Sequence, residues 1–159
     1  AMVHLTALHI SGEGQPMLPA PLAALPALED LRICTERLST LPDQLACVGT
    51  LRKLVLCGVR LQAVPAVLGG GAASQLEHLS LHGRVLRNVS REGLEVLRSL
   101  TALKCLEVFD VYGSGWNIGT LADAMRPVLP QECKLSLPDV GGDSDDDYEG
   151  GMCIDLQVA

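Results

Sequence analysis

One motif, L-x-x-L-x-L, recurs along this chain at near-constant spacing and limits the fold more than any other feature. It reads "LTALHI" from Leu5, "LEDLRI" from Leu28, "LRKLVL" from Leu51, "LEHLSL" from Leu76 and "LKCLEV" from Leu103, with anchors 23, 23, 25 and 27 residues apart. Residues 28–50 define seven apolar slots: Leu28, Leu31, Ile33, Leu38, Leu41, Leu45 and Val48. That spacing is neither the 3.6-residue period of a helix nor plain strand alternation. Over the first three copies 19 of 21 slots are apolar, the exceptions being Gln15 and Gly71. With 48% hydrophobic residues, chance would fill about ten, so the period is a property of the chain. In each of these copies a proline follows the fifth slot, at Pro19, Pro42 and Pro65.

Each copy reads as one short strand and a return segment that cannot bury its leucines alone. Stacking the copies in register gives a parallel sheet and a shared leucine core. Alternation within L-x-L turns the leucines inward and leaves the intervening residues on the other face. Proline suits an extended or tightly turning return, because it fixes φ and offers no N–H.

This pattern resembles the leucine-rich-repeat family in its short form, L-x-x-L-x-L…L-x-x-L-P-x-x-L. The resemblance covers residues 3 to about 111 in five repeats and reaches toward Leu137. It implies an α/β fold: a leucine-rich-repeat solenoid, a right-handed β/α superhelix with a parallel concave sheet, over residues 3–138. It also implies protein–protein recognition, as a scaffold or as the recognition arm of a larger protein. Ubiquitin-ligase receptors and immune or signalling regulators are examples. One departure is plain. The family's ladder Asn, eight places after the anchor, is replaced by Glu13, Glu36, Val59, Arg84 and Val111. Other groups must then satisfy the backbone at those turns.

The later repeats lengthen on the return side. "SREGLEVLRSLTAL" offers Ser90 as a helix N-cap, Glu92 in the first turn, and apolar Leu94, Val96, Leu97 and Leu100. "TLADAMRPVL" offers Thr120 as N-cap with Asp123 in a capping-box relation, and Pro127 is expected to end that helix. The returns are therefore expected to be extended early and helical late, with "GGGAAS" (69–74) as a flexible bulge. After Pro130, "CKLSL" reads as a last edge strand. Residues 139–159 read as an acidic Gly/Asp-rich loop followed by "MCIDLQV" as a capping strand for the open end, or alternatively as a disordered tail.

Charge and cysteine usage narrow the function classes. Of the net charge of −7, the run "DSDDDYE" (143–149) supplies five acidic residues, leaving 12 basic against 14 acidic elsewhere. A nearly neutral body lacks the clustered positive face of a nucleic-acid binder. The chain has no stretch of 18 or more apolar residues and no leader-like opening, so no membrane span is expected. The six cysteines form no C-x-x-C pair, and reduced thiols in an intracellular, cytoplasmic protein are the simpler reading. Neither cofactor nor metal is implied.

The concave face is read in columns: Ala7, Asp30, Lys53, His78, Cys105; then His9, Arg32, Val55, Ser80, Glu107; then Ser11, Cys34, Cys57, His82, Phe109. The partner-binding residues expected there are Arg32, Lys53, Cys57, His78, His82, Glu107 and Phe109. Arg and aromatic side chains are the types enriched in binding hot spots. The alternative use of this face is chemical. Cys34, Cys57, His82 and His78 have the ligand types for a soft metal, and Cys57–His82 has those of a nucleophile and base. The bland reading, a mildly polar binding surface, is the stronger. No residue is seen to orient His82, and an open sheet excludes water poorly; no catalytic activity is expected.

Four other features have bland readings as well. Arg84, Arg87, Arg91 and Arg98 read as a solvated return-side face rather than a phosphate site. Asn88-Val89-Ser90 matches a glycosylation acceptor, without other signs of secretion. Ser144 precedes three aspartates that would suit an acid-directed kinase. "GSGWNIG" lacks dinucleotide-fingerprint spacing, and Trp116 reads as a plug for the widened repeat.

Overall fold

A computed structural model describes residues 4–12, 25–35, 41, 43, 45, 48–57, 64–69, 75–82, 94–109 and 118–137. Six strands form one parallel sheet in sequence order. They are β1 (Ala7–Ser11), β2 (Asp30–Cys34), β3 (Lys53–Cys57), β4 (His78–His82), β5 (Cys105–Phe109) and β6 (Lys134–Ser136). The architecture is α/β, with one helix, α1 (Ile118–Met125), among the described residues.

The register follows the motif. Leu31 pairs with Leu54, Leu54 with Leu79, Leu79 with Leu106, and Leu106 with Leu135. Alternation turns one side chain of every two inward. Leu31, Ile33, Leu54, Leu56, Leu81, Leu106 and Val108 are completely buried. The anchor leucines Leu28, Leu51, Leu76 and Leu103 and the return residues Leu41, Leu45, Val48, Val64 and Leu68 join the same core. Every described slot of the second repeat is thus filled by a buried side chain. In β1 the equivalent Leu8 and Ile10 are only half-buried.

A repeated backbone device holds the copies together just ahead of each strand. The carbonyl of the second motif residue accepts two N–H groups from the next copy. Thr6 O takes Glu29 and Asp30, at 2.8 and 3.0 Å; Glu29 O takes Arg52 and Lys53, at 2.9 and 2.8 Å. Arg52 O takes Glu77 and His78, and Glu77 O takes Lys104 and Cys105. Since both lone pairs of a carbonyl can accept, the same geometry serves four successive junctions. Past the other ends of the strands, Gly12 N donates to Cys34 O at 3.2 Å and Thr35 N to Cys57 O at 2.9 Å. Thr50 Oγ1 donates to Leu28 O at 2.8 Å. The five positions that lack the ladder Asn lie outside the described residues.

The described parts of the return segments meet the expectation in part. The third carries a 3-10 turn, Ala66–Gly69, within the extended or turning path expected of the early returns. In the fourth, Leu94 and Glu95 are α-helical and run directly into a 3-10 turn, Val96–Ser99, so the described end of the expected helix is present in part. There Leu94, Leu97 and Leu100 are all buried. Their spacing of three keeps them on one side of this short helical segment. The two turns adjoin. A Cβ added at Gly69 would stand 3.4 Å from Ser99 Oγ and 3.7 Å from Val96 Cγ1.

In the fifth return α1 already includes Ile118 and Gly119, so Thr120 is a first-turn residue and not the N-cap. A capping box needs a non-helical cap residue, and the Thr120/Asp123 assignment is corrected accordingly. The helix ends at Met125, two residues before Pro127. This fits the missing N–H of proline and its bias against α conformation in the preceding residue. Leu121 and Met125, one turn apart, are buried against the leucine core. Ser90, Glu92, residues 70–74 of "GGGAAS", Trp116 and "MCIDLQV" lie outside the described residues. Among those described, no helix is long and apolar enough to cross a membrane.

Candidate functional site: the open face of the sheet

The face opposite the leucine core is built by the odd members of each strand, and the ladder fixes their order. Asp30, Lys53, His78, Cys105 and Lys134 form one column. His9, Arg32, Val55, Ser80, Glu107 and Ser136 form the next. In the third, Ser11 pairs with Cys34, Cys34 with Cys57, and His82 with Phe109. The first two columns inferred from motif spacing are those of the ladder; in the third the β3–β4 register ends at Leu56–Leu81, and Cys57 and His82 are not a register pair. All seven expected partner-binding residues stand on this face, none of them fully buried.

The side chains are more organised than spacing alone suggests. The His82 and Phe109 rings stack, with centroids 4.3 Å apart and planes inclined by 25°. Ser80 Oγ lies 2.8 Å from His82 Nε2. The bond, and the flanking of Ser80 by Val55 and Glu107 in its column, leave Ser80 almost completely buried on an otherwise open face. Phe109 therefore packs on His82, a contact that two rings in adjoining column positions signal. Arg32 Nη2 sits 3.5 Å from Asp30 Oδ2, a long and half-exposed pairing. Asp30 Oδ1 is buried without a hydrogen-bond partner. Asp30 and Ser80 were not among the expected site residues, although both stand in its columns.

A second group of charges, missed entirely in the sequence, lines the strand starts. Arg52 Nη1 and Lys104 Nζ each contact Glu77, at Oε1 and Oε2 respectively, both at 2.6 Å. These are the second motif residues of three successive copies. Their signs alternate, as do those of Glu29 and Arg52 before them. The hydrogen bond from Lys104, helped by that from Arg52, holds the Glu77 carboxyl below its ordinary range despite some loss of solvent. On the return side, Arg98 Nε pairs with Glu95 Oε2 at 3.1 Å. Arg84, Arg87 and Arg91 lie outside the described residues.

The chemical alternatives fare differently. Among the described residues no group of three or more His, Cys, Asp and Glu side chains is placed to hold a metal ion. The Nε2 atom of His82 faces the Ser80 hydroxyl. Cys34, Cys57, Cys105 and Cys133 are thiols, not disulfides. Burial, seconded by Glu107, pushes the Cys105 thiol up; burial, seconded by Cys105, does the same for Cys133. Both are thereby kept protonated and poorly nucleophilic.

No protein-family profile and no curated protein matches this chain.

Proposed function

We propose that this chain is a leucine-rich-repeat solenoid that binds a protein partner through the concave, open face of its sheet. It would serve as a scaffold or as the recognition arm of a larger assembly. The observation that carries the reading is the in-register display of three side-chain columns on a sheet whose other face is a continuous leucine core. A surface held by five strand junctions loses little side-chain and backbone freedom on association, which favours affinity. It offers an aromatic pair, His82 and Phe109, beside small residues that let a partner's backbone approach. It also offers the half-exposed guanidinium of Arg32.

The test compares faces. Capture of binding proteins from source-cell extract is expected to fall for Arg32→Ala and Phe109→Ala with melting temperature nearly kept. Arg98→Ala, on the return side, is expected to leave capture intact. Should Arg98→Ala abolish capture while the open-face variants retain it, the binding side is assigned backwards.

A further inference from the structure

Cys34 and Cys57 are direct register partners at the ends of β2 and β3. Both occupy outward positions of their strands and both are half-buried, within reach of small solutes. Neighbouring strands lie about 4.8 Å apart, inside the range of roughly 4.4–6.8 Å that a disulfide accepts between Cα atoms. The backbone is fixed here by bonds beyond the strand ends. Each cysteine carbonyl accepts an N–H from the preceding copy, Cys34 O from Gly12 and Cys57 O from Thr35. The two thiols are thus held side by side by the ladder and not by chance encounter.

We propose that Cys34 and Cys57 are a redox-responsive dithiol, oxidised by a peroxide to an interstrand disulfide and restored by low-molecular-weight thiols. In the first step one thiolate attacks the peroxide. An S–O bond forms, the O–O bond breaks, and one water leaves after protonation, giving a sulfenic acid. In the second the neighbouring thiolate attacks that sulfur. The S–S bond forms, the S–O bond breaks, and a second water leaves. Two thiols and one peroxide become one disulfide and two waters, with two electrons passing from sulfur to oxygen. Reduction reverses the bond by two thiol–disulfide exchanges, which leave the external thiol as its own disulfide.

The geometry also sets the character of that bond. A disulfide prefers Cβ atoms about 3.8 Å apart, closer than the spacing of directly paired parallel residues. Closing it must draw β2 and β3 together at one point. A strained, exposed disulfide of this kind has a high potential and is easily reduced, the behaviour of regulatory bonds rather than structural ones. The other pair of described cysteines differs: Cys105 pairs in register with Lys134, and burial disfavours the thiolate of both Cys105 and Cys133. The inference rests on the β2–β3 register and is independent of partner binding.

Reduced protein treated with dilute hydrogen peroxide, alkylated and cut with trypsin gives the readout by mass spectrometry. Cys34 falls in fragment 33–37 and Cys57 in fragment 54–60. These two fragments are expected to appear joined, to separate with dithiothreitol, and to form about tenfold or more faster than in the urea-unfolded chain, because the fold supplies the proximity. In Cys34→Ser, with folding checked by circular dichroism, Cys57 is expected to stop at a sulfenic acid that dimedone traps. Three results overturn the proposal: sulfinic acids at both positions without the joined fragments, prior joining of Cys105 to Cys133, or equal joining in urea.

Discussion

Leu31 and Leu54 show what one side chain carries in this fold. Each is completely buried, and they face one another in consecutive strands. Truncation removes the transfer energy of the side chain and leaves a cavity that a leucine-lined stack closes poorly. Leu31→Ala and Leu54→Ala are each expected to cost about 2–5 kcal/mol in chemical denaturation. Midpoints equal to the parent's would mean that neither leucine is in the core. Glu77 tests the surface in the same way. Its carboxyl titrates below the ordinary value when folded, so the pairing contributes stability above that ordinary value. The contribution is lost as pH falls through the lowered value. Exposed pairs are worth under about 1 kcal/mol each. The melting advantage of the parent over Glu77→Gln is therefore expected to be small at neutral pH, weaker in salt, and gone in acid. An advantage that persists in acid would show that the carboxylate is not its source.

At the scale of the element, the strands were legible and the returns only partly so. Leucine alternation in L-x-L fixes both the strand and its inward face, because a slip of one residue would turn every leucine to solvent. The columns of the open face then follow by counting. The returns carry the same leucines on a local path that apolar spacing does not settle. A three-residue step such as Leu94–Leu97–Leu100 fits a 3-10 turn or the edge of an α-helix equally, and packing decides. Thr120 illustrates the limit at helix ends. A good cap residue lies one turn's fraction inside a helix whose start is set by what precedes it. The Arg52–Glu77–Lys104 bridge was hidden for another reason. Its members are 25 and 27 residues apart, and become neighbours only once the strands are stacked. The His82–Phe109 stack tests this level directly. Phe109→Leu is expected to keep the fold while freeing the His82 ring, seen as loss of the ring-current shift on its NMR signals. Unchanged His82 signals would place the two rings apart in solution.

At the scale of the whole molecule, the six described strands lie in one sheet in sequence order, and stability should be graded along it. Each interior strand is bonded on both edges and backed by completely buried leucines: Leu31 and Ile33 in β2, Leu54 and Leu56 in β3. Among the described residues β1 has one bonded edge, and its inward Leu8 and Ile10 are only half-buried. Among the described residues β6 likewise has one bonded neighbour, and it is three residues long. In an array whose copies contact only their neighbours, opening begins where a copy has one neighbour and little buried surface. Native-state hydrogen exchange is therefore expected to rank β3 with β2 and β4 as slowest, then β5, with β1 and β6 fastest. The exchange free energies of β1 should lie well below the global unfolding value and those of β3 close to it. Leu54→Ala then adds a second reading. Loss at the centre removes support from both sides, so protection should fall in β2 and β4 as well as in β3. Amides of β1 as slow as those of β3, or a loss confined to β3 in Leu54→Ala, would mean that the sheet opens as one cooperative block and not copy by copy.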